Sequence, residues 1–228
     1  LGGHSKKIIK DIAGRISISP DGKRMVFTRW ITGMAEMRLV IANLDGSGER
    51  ILIKRKVYPS IASPAWSPDG KSIACVVGGA GKFNLSTVPP EGGTEKQISP
   101  QSWREIGDLT WLSDGRSLVL TATDPSSPGN SQIWQVAYPG GEARRVTNDL
   151  NYYGGVSVTS DRKMLVTVQA EVLCNIWIIP GLEAERAKQV TFGKDDGIGG
   201  TCWTPDGKIV YGSIASGSPE IWSMDADG

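Results

Sequence analysis

One short pattern returns five times along this chain and leaves few folds open to it. It reads SPDGK at Ser19–Lys23 and at Ser67–Lys71, LSDGR at Leu112–Arg116, TSDRK at Thr159–Lys163 and TPDGK at Thr204–Lys208. The aspartates Asp21, Asp69, Asp114, Asp161 and Asp206 are spaced 48, 45, 47 and 45 residues apart. Chance does not place five such hits so evenly, and self-similarity at this period marks a repeat architecture.

The turn chemistry is readable. Proline presets φ, aspartate bonds its own backbone, and glycine accepts positive φ. That combination predicts a tight hairpin connection between two strands. The fourth copy has Arg162 in place of the glycine, so its turn is expected to be strained or of another type.

The flanks repeat as well. Ile18, Trp66, Trp111, Val158 and Trp203 each stand three residues before an aspartate. Apolar runs such as Met25-Val26-Phe27, Leu118-Val119-Leu120 and Ile209-Val210-Tyr211 follow the turns. Later in the unit come Ile133-Trp134, Ile176-Trp177 and Ile221-Trp222, with Leu39 and Leu85 at the Trp position of the first two copies. A second turn follows, as at Asp45-Gly46 and Pro139-Gly140-Gly141, and then a short strand-like piece such as Ala143–Thr147 or Lys188–Thr191. Four short strands per ~45 residues is the signature of a β-propeller blade. Runs of adjacent apolar residues suit strands buried on both faces. No long window has helical periodicity.

The predicted fold is therefore all-β: a β-propeller of four-stranded antiparallel blades, with five blade repeats. Their bounds are about 11–55, 56–98, 99–147, 148–191 and 192–228 within a single domain. The last repeat stops at its second turn, while Lys6–Lys10 aligns with the fourth strands of the other units. Strand 6–10 is thus expected to complete the fifth blade. Two arrangements stay open: a closed five-bladed ring, or a segment of a larger propeller. The start at Leu1 and the stop at a turn point to a piece of a longer protein.

Charge and composition remove several functions. Lys plus Arg is 25 and Asp plus Glu is 24, with no basic run, which argues against nucleic acid as a partner. No apolar stretch is long enough to insert in a membrane. Cys75, Cys174 and Cys202 contain no CxxC pair and read as small buried apolar residues. Asp195-Asp196-Gly197 and Asp225–Gly228 offer oxygen ligands, but the calcium-loop pattern is absent and turn chemistry explains them, so neither metal nor cofactor is expected. The only histidine is His4 and no GxSxG is present, so no Ser-His-Asp triad and no catalytic residue is assigned.

The SPDGK and TPDGK turns, the Ile-Trp strands and the Gly-rich second turns resemble the TolB-like, WD-repeat-like propellers of bacteria. Gln132–Leu150 is similar to the propeller that follows the kinase domain in certain bacterial serine/threonine protein kinases. The resemblance implies a sensory or protein-binding role in a signalling protein and a periplasmic or extracytoplasmic place. It also admits the gating propeller of a prolyl-oligopeptidase-like peptidase, or a periplasmic scaffold. The kinase motifs themselves are absent.

Binding is expected on the loops. The connections between second and third strands (30–36, 78–82, 123–131) and those between repeats (56–61, 99–106, 148–154, 192–200) emerge on one face. They carry Trp30, Tyr58, Trp103, Arg104, Tyr152 and Tyr153, residue types favoured at interface hot spots. A protein or peptide partner is expected there, with a small ligand as the other occupant. Trp66, Trp111, Trp134, Trp177, Trp203 and Trp222 hold repeat positions and are assigned to the core. The five turn aspartates are assigned to the turns.

Overall fold

The structure is a computed structural model; it describes residues 6–56, 60–126, 130–149, 151–159, 161, 163–216 and 218–227. The chain divides into two compact units, Leu1–Gln169 and Ala170–Gly228.

Three repeats of the first unit form complete four-stranded antiparallel sheets. The first sheet is β1 (Ile12–Ile18), β2 (Arg24–Ile31), β3 (Glu36–Asn43) and β4 (Arg50–Lys56) in sequence order. The second is β5 (Ser60–Trp66), β6 (Ile73–Gly79), β7 (Lys82–Val88) and β8 (Lys96–Gln97). The third is β9 (Glu105–Trp111), β10 (Ser117–Thr123), β11 (Gln132–Ala137) and β12 (Ala143–Arg145). A two-stranded sheet, β13 (Tyr152–Val158) with β14 (Leu165–Ala170), follows at the end of this unit.

The turns fold as their sequence dictates. Gly22 N–H donates to Ser19 O at 2.9 Å, and Gly22 sits at φ +70. Asp21 Oδ1 accepts from Ser19 Oγ at 2.6 Å and from Lys23 N–H at 3.1 Å. The second copy repeats the geometry: Ser67 Oγ to Asp69 Oδ1 at 2.7 Å, Lys71 N–H at 3.0 Å, and Gly70 at φ +73. Side-chain donation from Ser19, Ser67 and Thr159 holds the Asp21, Asp69 and Asp161 carboxyls below the ordinary aspartate range.

The apolar runs alternate between two neighbours. On β6, Ala74 and Val76 join a core with Trp111, Leu118, Leu120 and Trp134 of the third sheet. Ile73 and Cys75, on the other face, pack with Val26, Leu39 and Ile41 of the first sheet. Val119 and Ile133 turn away from that core and bury against Tyr153 and Val156 of β13. A central strand covered on both faces has no solvent side on which to place polar residues.

Lys6–Lys10 carries no strand in the structure. Instead Ile9 packs on the face of the first sheet formed by Met25, Phe27, Val40 and Ala42. Arg29 donates to Lys10 O at 3.3 Å, and the positive-φ Gly46 passes so close that a Cβ there would lie 2.7 Å from Ile8 O.

The second unit is built more sparsely. It holds β15 (Trp177–Ile178) paired with β16 (Lys188–Gln189), and a three-stranded sheet of β17 (Asp196–Trp203), β18 (Ile209–Ser213) and β19 (Glu220–Met224). Its core is Ile176, Val190 and Ile209, with Ile178, Tyr211 and Met224 packed against them. The core assignment of three tryptophans is corrected here: Trp177, Trp203 and Trp222 are 55%, 57% and 44% exposed. Six sheets of two to four strands are thus present among the described residues, three of them complete blades.

Candidate functional site

The loop end of the first unit is the place where the sequence puts binding residues, and topology brings their positions to one end of successive sheets. Trp30 is near the end of β2, opposite Met37, while Arg104 immediately precedes β9 and Tyr152 opens β13. Tyr58 lies outside the described residues.

The six side chains have different environments. Arg104 is exposed, and its N–H donates to Thr123 O at 2.8 Å, which ties the segment before β9 to the end of β10. Beside it is a 730 Å3 recess lined by Ala80, Gly81, Phe83, Arg104, Glu105 and Pro125. Tyr152 is 45% exposed, and its ring folds over Gly154, where a Cβ would lie 3.1 Å from Cε1. The segment ahead of it is clamped by the buried amide of Gln132, which donates to Asp149 O at 3.1 Å and Asn151 O at 2.8 Å. Trp30 is half-buried in a strand and not in a loop.

Two of the six belong to the core. Trp103 is fully buried; it bridges Phe83 by a pair of 2.8 Å backbone hydrogen bonds and meets Trp134 edge-on at 6.0 Å. It extends the second sheet along the edge of β7 instead of standing in a free loop. Tyr153 is also buried, packed with Val119, Ile133 and Val156. Its hydroxyl donates to Asp149 Oδ2 at 2.7 Å. That bond pushes the phenol pKa up and holds the Asp149 carboxyl down. The repeat contains a signal for this burial: Tyr153 stands eight residues before its turn aspartate, as do the buried Ile61 and Ile106.

Sequence reasoning missed a different pair. Arg15 on β1 and Asp108 on β9 form an ion pair between the first strands of the first and third sheets, the edge strands called inner from here on. Each stands six residues before its turn aspartate, at a position that holds Arg15, Ser63, Asp108, Gly155 and Gly200 in the five units. A repeat position that changes chemistry from unit to unit is not serving the blade alone. Among the described residues, no group of three or more His, Cys, Asp or Glu side chains is placed to hold a metal ion. No helix in them is long and apolar enough to cross a membrane.

The family model of the TolB beta propeller domain matches residues 10–228. The chain belongs to the TolB β-propeller family. Its fold is similar to TolB from Acinetobacter baumannii, with a TM-score of 0.56 at 16% identity over 94% of this chain and 53% of that one. It is similar also to a putative TolB from Agrobacterium tumefaciens, with a TM-score of 0.59 at 16% identity over 92% of this chain and 65% of that one. At these identities the likeness is one of fold. In sequence, 116 residues are 32% identical to dipeptidyl-peptidase 5 of Porphyromonas endodontalis, which is 48% of this chain and 16% of that protein. The propeller chain thus spans a minor part of its curated relative.

Proposed function

We propose that this chain is a non-catalytic recognition propeller whose five repeats are five blades, and that it binds a protein or peptide at the loop end of its first unit. The observation that carries this reading is the recess beside Arg104, which joins an exposed arginine, an acidic neighbour and apolar walls at one place. Arginine and tyrosine supply much of the energy at protein interfaces. Arg104, Tyr152 and the half-buried Trp30 remain as contact residues, with Tyr58 as a further candidate; Trp103 and Tyr153 support them from below. Selection of a random peptide library on wild type and on an Arg104→Ala/Tyr152→Ala variant tests the site. Wild type is expected to enrich sequences that the variant loses. Equal enrichment by both proteins removes the assignment.

A second reading concerns what the propeller serves. The sequence match to a dipeptidyl-peptidase favours a propeller attached to a peptidase, whereas the kinase-linked sensory role rests on sequence resemblance alone.

 Family membership supports a periplasmic place for it. Reading the gene on both sides decides between the two: an α/β-hydrolase segment with a GxSxG motif supports the peptidase, and a kinase segment supports the sensor.

A further inference from the structure

The inner strands β1, β5 and β9 share one irregularity. Each slips register against its partner at a bulge, between Ile12 and Ile16, between Ala62 and Ala65, and between Ile106 and Leu109. A bulge bends a strand and re-aims its side chains. Here it turns the variable repeat position toward the neighbouring inner strands. Ser63, at φ +46, donates from Oγ to Gly107 O at 2.9 Å. Ser17 Oγ accepts from Trp66 N–H at 2.9 Å, and Trp111 Nε1 donates to Ala65 O at 3.0 Å. These bonds satisfy edge groups that the sheets leave unpaired.

Among these stitches lies a 440 Å3 cleft, lined by Arg15, Ser17, Pro64, Trp66, Trp111 and Ser157 with their neighbours. It occupies the halves of the inner strands nearest the Asp21, Asp69 and Asp114 turns, the opposite end from Arg104 and Tyr152. Arg15 is the charged residue of its lining, and the ion pair it makes is asymmetric. The Asp108 side chain is 11% exposed, whereas the Arg15 side chain is 53% exposed. A guanidinium carries five N–H donors in a planar fork, and a single carboxylate uses at most two of them. Gly155, at φ +75, gives Asp108 its room, since a Cβ there would lie 3.3 Å from Oδ2.

We propose that this cleft is a second binding site, which takes a carboxylate carried on a large apolar group, as at the C-terminus of a peptide ending in an aromatic residue. Arg15 receives the carboxylate on its open side. Trp66, Trp111 and Pro64 border the apolar group, and the Ser17 and Ser157 hydroxyls border the polar remainder. Asp108 pre-positions the guanidinium but also competes for it, which sets the affinity low and makes it sensitive to salt. The site is independent of the loop-end reading.

The test is calorimetric titration of the 228-residue chain with N-acetyl-Ala-Ala-Phe, its C-terminal amide and 3-phenylpropionate. The free acid is expected to bind at least tenfold more tightly than the amide, and less tightly as salt is raised. Equal affinity for 3-phenylpropionate would assign the site to small acids; weaker binding of it would assign the site to peptide ends. Arg15→Gln is expected to bring the acid down to the level of the amide, and Asp108→Asn to raise acid affinity severalfold. Equal binding of acid and amide by wild type overturns the proposal whatever the variants do. So does undiminished acid binding by an Arg15→Gln protein with wild-type melting behaviour.

Discussion

The two units are written in the same sequence grammar and reach different degrees of burial. In the first, the tryptophans at repeat positions, Trp66, Trp111 and Trp134, are 6%, 7% and 5% exposed. In the second, Trp177, Trp203 and Trp222 occupy the corresponding positions and are 44% exposed or more. The first unit gives each complete sheet a neighbour. The second has a two-stranded and a three-stranded sheet around a small core. In repeat proteins, stability is the sum of intrinsic unit terms and interface terms. Within the first unit those tryptophans lie in clusters that draw on two adjoining sheets, so a blade's tryptophans become core where a neighbouring blade covers them.

The largest effect that can break this comparison is a pair of truncations. Trp134 packs against Trp103, its Nε1 donates to Ala122 O at 3.1 Å, and the Arg145 guanidinium lies 5.1 Å from its ring. Trp134→Ala should cost about 3–5 kcal/mol, as large-to-small changes in packed cores do. Trp222→Ala should cost under about 1 kcal/mol, as at exposed positions. Urea unfolding of both variants measures the contrast, and equal losses would show that the second unit is packed as tightly as the first.

Backbone contacts give the next largest effect. Gly141 is at φ +82 in the second turn of the third repeat, and a Cβ there would lie 2.2 Å from Ile98 O. Gly207 has a similar φ of +84, but nothing lies within 4 Å of its Cβ position. Gly207→Ala therefore isolates the cost of the conformation, about 1–2 kcal/mol. Gly141→Ala adds displacement of the Ile98 backbone and should exceed it by roughly 1–3 kcal/mol. Thermal melts of the two variants check the order; matching melts would mean that the turn of the third repeat is not held against the second sheet.

A smaller contrast should be visible without mutation. Amides of β6 and β10, central in four-stranded sheets and covered on both faces, are expected to exchange with solvent far more slowly than those of β18. Local opening costs little where few apolar contacts resist it. Hydrogen exchange read by mass spectrometry checks this, and uniform protection across both units would contradict it.

The same contrast explains what could be read from sequence. The turns were legible because their chemistry is local: Asp21 and Asp69 satisfy neighbours two residues away, and glycine answers a demand for positive φ. The double-sided burial of Met25-Val26-Phe27 and Leu118-Val119-Leu120 was legible because adjacent apolar residues cannot share one strand face. The site was less so. Tyr153 and Trp103 are loop residues by position and core residues by contact, and only the alignment of Tyr153 with Ile61 and Ile106 hints at it. The Arg15–Asp108 pair depends on bulges that bring residues from two repeats together, a relation between strands that no single repeat contains.

The smallest effect sharpens the comparison at the turns themselves. Asp69 Oδ1 accepts two hydrogen bonds, from Ser67 Oγ and Lys71 N–H, and its pKa is lowered chiefly by the serine. In the fifth repeat the equivalent lysine amide goes elsewhere: Lys208 N–H donates to Thr204 Oγ1 at 2.9 Å. Asp69→Asn should therefore cost more than Asp206→Asn, by about 0.5–1 kcal/mol after allowing for solvent screening. A carboxylate whose pKa is lowered on folding adds stability above its unfolded pKa, and that contribution disappears as pH falls through the folded value. The stability gap between wild type and Asp69→Asn should thus be full at pH 7, shrink below the ordinary aspartate range and close in stronger acid. Denaturant midpoints for both proteins between pH 7 and pH 2.5 measure it. A gap that stays constant with pH would mean that the carboxylate charge is irrelevant to the turn, and that proline and glycine hold it unaided.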